Sequence, residues 1–159
     1  MTKESEAVIV TLVSQHDGQS TTFQYKGQLY NKQRAVYIRY TEQEYEQGQE
    51  EIRTLIRYKQ GELSIVRRGA IHSEQLFIPN IQSAGVYRAQ AITMQIKTKT
   101  YSLGLVQVAR ERQEKLEQTD KQMLERPELP FSLEWHYDLL VNEQVTGKFH
   151  MKLHIRKDV

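Results

Sequence analysis

The residues able to do chemistry are few. His150 and His154, in HMKLH, stand at i and i+4, a spacing that on a helix would turn two imidazoles toward one metal ion. Here Phe149, Met151, Leu153 and Ile155 alternate with Lys148, His150, Lys152 and Arg156, the period of a half-buried strand. On a strand the two rings point the same way but stand roughly 13 Å apart at about 3.3 Å per residue. Ligands at roughly 2 Å from an ion cannot span that distance. His136 and His150 are better placed as cross-strand neighbours, but no third ligand is evident, and a solvated outer face is the plainer reading. The chain has no cysteine, so thiolate chemistry is excluded. No G-x-S-x-G, H-E-x-x-H, phosphate-binding or dinucleotide fingerprint occurs. The adjacent carboxylates Glu50 and Glu51 sit in a polar stretch where solvation is the default. The sequence leans away from an enzyme and predicts no catalytic residue, metal or cofactor.

The arginines are more informative. In IVRRG, residues 65–69, alternation sets Arg67 on the face of Leu63 and Ile65 and Arg68 on the opposite face with Val66. A charge facing a core is very costly without a counter-charge. Glu42 follows Val36, Ile38 and Tyr40 on their face at the end of a strand, so it is the expected partner. Gly69 then turns the chain away at the rim. Arg53 and Arg57 share a face with Leu55 and, with Tyr58 and Lys59, offer a mixture of basic and aromatic side chains of the kind single-stranded RNA binders use. Exposed outer-face residues are the simpler account of them.

These side chains have to be positioned by strands. Ala7–Val13, Thr21–Tyr30, Arg34–Thr41, Ile52–Lys59, Glu62–Arg68, Glu74–Ile78, Val86–Ala89, Ile92–Lys97 and Tyr101–Val108 read as short strands. The turn signals are Asp17-Gly18, Asn31-Lys32-Gln33 and Gln60-Gly61. Gly27 and Gly104 are expected at bends or bulges. The clearest hairpin is the last. Pairing Val141 with Val145 sets Trp135 opposite Met151 and Tyr137 opposite Phe149 inside. Outside, it sets Glu134 opposite Lys152, His136 opposite His150 and Asp138 opposite Lys148, with complementary charges. Residues 109–130 break the pattern: Glu111/Lys115 and Glu117/Lys121 have helical spacing, but the apolar residues are too few for a buried stripe. A polar surface helix or a flexible excursion within a hairpin connection, ended before Pro127, is expected there. About ten strands joined by local turns predict an all-β, antiparallel up-and-down barrel of about 8–10 strands in a single domain, 1–159, with a sandwich as second choice.

With 22 basic and 20 acidic residues the net charge is +2 and the pI about 8.7, short of the value above roughly 9 that marks dedicated nucleic-acid binders. The N-terminal apolar run is only about seven residues, far from the ~20 a membrane helix needs. A soluble, cytoplasmic protein is expected.

YKGQLYNKQRAVYIRYTE (25–42), GELSIVRRGA (61–70), QLF (75–77), Tyr87 and IKTKT (96–100) resemble, in this order, the YwiB-like family of uncharacterised bacterial proteins, described as calycin-like β-barrels. Its Tyr-x-Glu pattern falls on Tyr40 and Glu42, and its Arg-x-Gly pattern on Arg67 and Gly69. A glycine expected five residues after Tyr87 is Ile92 here. The resemblance covers nearly the whole chain apart from 109–130, and implies a lipocalin-like barrel but no activity.

The leading expectation is therefore a non-enzymatic barrel binding a small apolar or anionic ligand inside or at one end, lined by Tyr40, Glu42, Arg67, Tyr87, Trp135 and Tyr137, with Gly69 structural. The alternative is a protein–protein or RNA-associated module using an outer basic face of Arg53, Arg57, Lys148, Lys152 and Arg156. The expected partners are a small molecule and a second copy of the chain through an exposed strand. Nucleic acid ranks low and a membrane is not expected.

Overall fold

The computed structural model describes residues 5–42, 50–107 and 127–159. They form ten strands: β1 (Glu6–His16), β2 (Gln19–Lys32), β3 (Ala35–Glu42), β4 (Ile52–Lys59), β5 (Glu62–Gly69), β6 (Ile71–Phe77), β7 (Gln82–Ala89), β8 (Ile92–Gln107), β9 (Phe131–Val141) and β10 (Gln144–Lys157). Each strand pairs antiparallel with its sequence neighbours, and β1 closes on β10, so one sheet is rolled into a closed barrel rather than split into a sandwich. The helical excursion expected over 109–130 falls mostly outside the described residues. Among the described residues no helix is long and apolar enough to cross a membrane.

Alternation does what period two demands. Val8, Val10, Val36, Ile38, Ile56, Leu63, Phe77, Leu133, Trp135, Leu153 and Ile155 point inward and are fully buried, and Tyr40, Tyr58 and Tyr137 nearly so. The middle of the barrel is packed with rings. Phe77 meets Trp135 at 5.7 Å and Tyr137 edge-on at 4.7 Å. Tyr137 stacks on Phe149 at 5.1 Å, and Tyr25 on Tyr40 at 4.5 Å. Burying each large apolar side chain stabilises by about 1.5–3 kcal/mol, so this filled interior dominates the fold's stability.

Several local expectations change. Residues 92–107 are one strand, not two. The expected gap over residues 98–100 is filled: Thr98 and Thr100 are buried, and the Thr98 hydroxyl donates to the carbonyl of Leu76 at 2.6 Å. The bulge in β8 lies between Thr100 and Ser102, at Tyr101 and not at Gly104. Gly27 sits at no register shift. It is glycine because a Cβ would come within 2.7 Å of the Arg39 carbonyl and 3.3 Å of Tyr40 and Val10. The turn expected at residues 31–33 is at Gln33-Arg34, with φ of 52° and 65°. The terminal hairpin keeps the derived register from Leu133–Leu153 to Asp138–Lys148. Its turn is tighter, however: Val141 faces Gln144 across Asn142-Glu143, and a bulge between Val145 and Gly147 restores the register. Positive φ at both turn residues (55° and 65°) matches the twist of a two-residue hairpin.

Candidate functional site

Two places concentrate polar chemistry, one inside the barrel near an end and one on its outer wall. At the end, β5 carries Arg67 opposite Thr54 of β4 and Ser73 of β6. Arg67 grips Glu42 with both forks: Nε donates to Oε2 at 3.0 Å and Nη2 to Oε1 at 2.8 Å. Thr54 adds a third donor to Oε2 at 2.9 Å. Arg67 and Glu42 are 31% and 17% exposed, half withdrawn from water. Burial lowers the Arg67 pKa, but the hydrogen bond and the charge of Glu42 outweigh it and leave the guanidinium more basic than usual. The Tyr40 phenol, packed beside the pair, is pushed well up by burial first and by the Glu42 charge second. Tyr87 lies opposite Ser73, close to Arg67.

Gly69 makes the corner beyond them. Its φ is 128°, a region L side chains rarely occupy, and an added Cβ would collide with the Glu51 carbonyl. That carbonyl accepts the Ala70 N–H at 3.2 Å. Only Ala70 separates β5 from β6.

Of the six residues expected to line a site, Tyr40, Glu42 and Arg67 stand together with Tyr87 beside them. Trp135 and Tyr137 belong to the packed middle. Trp135 is fully buried and its indole N–H finds no hydrogen-bond partner among the described residues. The Tyr137 phenol is raised to about 12 by burial, which a hydrogen bond from Gln75 only partly offsets.

The histidines make no metal site. His136 and His150 do face each other, but their rings stack at 3.9 Å and 16°, so their in-plane lone pairs run side by side and do not converge. No cluster of three or more metal-ligating side chains occurs among the described residues. His154 pairs with the Ser132 hydroxyl at 3.0 Å.

The second place was foreseen only through Arg53, as part of a wider outer basic face. A groove of about 650 Å³ crosses the outer wall of β2 to β5. It is built from two neighbouring cross-strand rows. In the first, Arg68 faces Arg53, and Arg53 faces Thr41; Gly27 faces Tyr40, so Lys26 extends the row beside Thr41. In the second, Val66 faces Leu55, Leu55 faces Arg39, and Arg39 faces Gln28. The Arg39 guanidinium lies 5.5 Å from the Tyr30 ring centroid. Lys26, Arg39, Arg53 and Arg68 thus meet one acidic side chain in the lining, Asp158, and among the described residues none of the four forms an ion pair.

The single outer basic face expected from the sequence is divided. Arg57 is committed to the Tyr37 hydroxyl at 3.3 Å and to Glu62 at 3.5 Å. Tyr58 points into the core. Lys148, Lys152 and Arg156 lie on β10, across β1, β2 and β3 from Arg53, where Lys148 pairs with Asp138 and Lys152 faces Glu134. The Arg53–Arg68 juxtaposition had a signal: a two-residue turn at Gln60-Gly61 fixes it by counting outward.

Residues 8–153 match the family model described as "Domain of unknown function (DUF1934)". The chain belongs to the DUF1934 family. A curated relative is the uncharacterized β-barrel protein YwiB of Bacillus subtilis, 28% identical over 96 residues, which span 59% of this chain and 66% of the relative. The crystal structure of the B. subtilis YwiB protein superposes with a TM-score of 0.69 over 99% of this chain and 94% of that one, at 21% identity. That likeness supports the barrel fold of this DUF1934 member. Where the YwiB-like pattern has a glycine, Ile92 opens β8 opposite Ala89, 60% exposed.

Proposed function

We propose that this protein is a non-enzymatic binding barrel whose site is the basic groove on the outer wall of β2 to β5, and whose ligand is an anion. The observation that carries the reading is Arg53 directly opposite Arg68, neither of them in an ion pair among the described residues. Like charges in that position destabilise a sheet, and an anion bridging them turns the repulsion into charge-assisted hydrogen bonding. The calycin-like description fits this role as a binding scaffold, with the site outside because packed aromatic rings take up the middle of the barrel. A cytoplasmic setting accords with the absence of cysteine. A dimer through an exposed strand finds little support in a barrel where every strand has two neighbours.

A second reading keeps a small polar ligand at the barrel end, with Tyr40, Glu42, Arg67 and Tyr87 as its rim above Trp135 and Tyr137. It is favoured by the partial exposure of Arg67 and by the fact that its bonds to Glu42 use Nε and Nη2 but not Nη1. One experiment separates the two. Tripolyphosphate at low salt should raise the melting temperature, as any ligand specific to the native state does, and R53Q/R68Q should abolish the rise. A rise that survives R53Q/R68Q places the site at the barrel end, and no rise at all refutes anion binding.

A further inference from the structure

We infer that the ligand of the outer groove is a single-stranded nucleic acid, its phosphates following the row Arg68–Arg53–Thr41–Lys26 and a nucleoside lying on Leu55 and Val66. This rests on the anion-binding reading above and adds the class of ligand.

The shape of the charge is the first reason. The row runs across four neighbouring strands, about 14 Å at roughly 4.8 Å per strand. A compact anion satisfies two adjacent cations, whereas a repeating anion can follow all of them. The hydroxyl of Thr41, between Arg53 and Lys26, supplies a neutral donor within the same line. The second reason is the apolar floor. Leu55 and Val66 face each other directly beside the basic row, half-buried. A free phosphate has no use for such a surface, while a base or ribose does. Arg39, held over Tyr30 at 5.5 Å, presents a flat cation at the same floor. Backbone-tracking cations beside flat or apolar platforms are how single strands are held without reading their sequence. An acidic peptide is the competing polyanion: its strand-addition mode is closed because each strand of this barrel already has two neighbours, and its Arg-cluster mode has no use for the apolar floor of Leu55 and Val66.

The near-balanced net charge of +2 does not oppose this. Sequence-wide totals average over the barrel, while among the described residues the groove gathers four cations against one acid. Affinity is therefore expected to be modest and sharply salt-dependent.

The test is fluorescence anisotropy of a labelled oligouridylate dodecamer with the full chain. Saturable binding at low salt is expected. It should weaken with a log–log slope of about −2 to −3, from roughly −0.7 per phosphate neutralised on a single strand. R53Q/R68Q should lower the affinity by about tenfold or more and flatten the slope by about 1.4. K99Q/K152Q removes the same charge from other faces and should stay within about twofold. Leu55→Ser should weaken binding without changing the slope, which separates the floor from the charges. Circular dichroism and Trp135 fluorescence report that each variant is folded.

Failure has distinguishable forms. If tripolyphosphate stabilises the protein through Arg53 and Arg68 but the oligonucleotide does not bind, the nucleic-acid inference falls and the anion site stands. If neither binds, both fall. Equal losses in R53Q/R68Q and K99Q/K152Q would mean non-specific attraction and overturn the inference. Displacement of the oligonucleotide by polyglutamate at equal charge would overturn it in favour of an acidic protein partner.

Discussion

Replacing Arg67 by methionine keeps the length of the side chain and removes the fork that holds Glu42. Two charge-assisted hydrogen bonds are lost, at 2.8 and 3.0 Å. In a dry interior, breaking such a pair costs about 3–5 kcal/mol because a charge is left uncompensated; on an open surface the cost is about 0–1 kcal/mol. The pair is 31% and 17% exposed, and Glu42 retains the Thr54 hydroxyl at 2.9 Å. An intermediate loss of about 2 kcal/mol follows, which for a chain of this length lowers the melting temperature by about 4–8 °C. Urea unfolding followed by the fluorescence of Trp135, the sole tryptophan, measures it, and the m-value should not change. Glu42→Gln alone should cost a similar amount. The double variant should then recover about 1–2 kcal/mol relative to the sum of the singles, since the second change removes the partner the first one stranded. Salt should erode this coupling only partly, because the pair is half-buried. Additivity within about 0.5 kcal/mol would refute the pairing as an energetic unit.

Gly69→Ala should destabilise by more than Gly61→Ala, measured by the same unfolding. Both have positive φ (128° and 84°), which costs roughly 1–2 kcal/mol for an L side chain, but only at Gly69 does the new Cβ collide with backbone, the Glu51 carbonyl; equal losses would deny the collision. In an alkaline titration followed by near-ultraviolet absorbance, Tyr40, Tyr58 and Tyr137 should stay protonated above pH 10, the ordinary tyrosine value of about 10. Their folded pKa values are raised, to about 12 for Tyr137, chiefly by burial. Their contribution to stability is thus complete below pH 10 and fades as pH rises toward the folded values. Reversible ionisation of all nine tyrosines near pH 10 in a still-folded protein would contradict the packed interior.

Much of the barrel was legible in the sequence because period-two burial is local. Trp135, Tyr137, Phe149 and Met151 declared their face and register through alternation and complementary charges alone. The Arg67–Glu42 pair was legible for a different reason: an inward charge demands a counter-charge, and strand-end Glu42 was the carboxylate on the right face. What was not legible depends on non-local pairing. The polar run Thr98–Thr100 hid a continuous β8, because two threonines fill inner positions that patterning reserves for apolar residues. The groove needs the β2–β3–β4 registers as well as the hairpin of β4 and β5. The β2–β3 register slips if the turn is placed at residues 31–33 and not at Gln33-Arg34. The β3–β4 register is set across a long connection that carries no turn signal.

Every strand pairing but one joins neighbours in the chain. The exception is the seam between β1 and β10, where Val8 meets Lys157 and His16 meets Phe149, partners roughly 140 positions apart. Closing a loop of that size costs about 2 kcal/mol more entropy than closing one of about 15 residues. The hairpins can zip locally and fast, while the seam can form only after they have brought the two ends of the sheet together. Folding kinetics are therefore expected to be limited by this closure. Until it shuts, β1 and β10 each expose an unpaired edge able to recruit another chain, so the window of aggregation risk for this protein is set by a single late step.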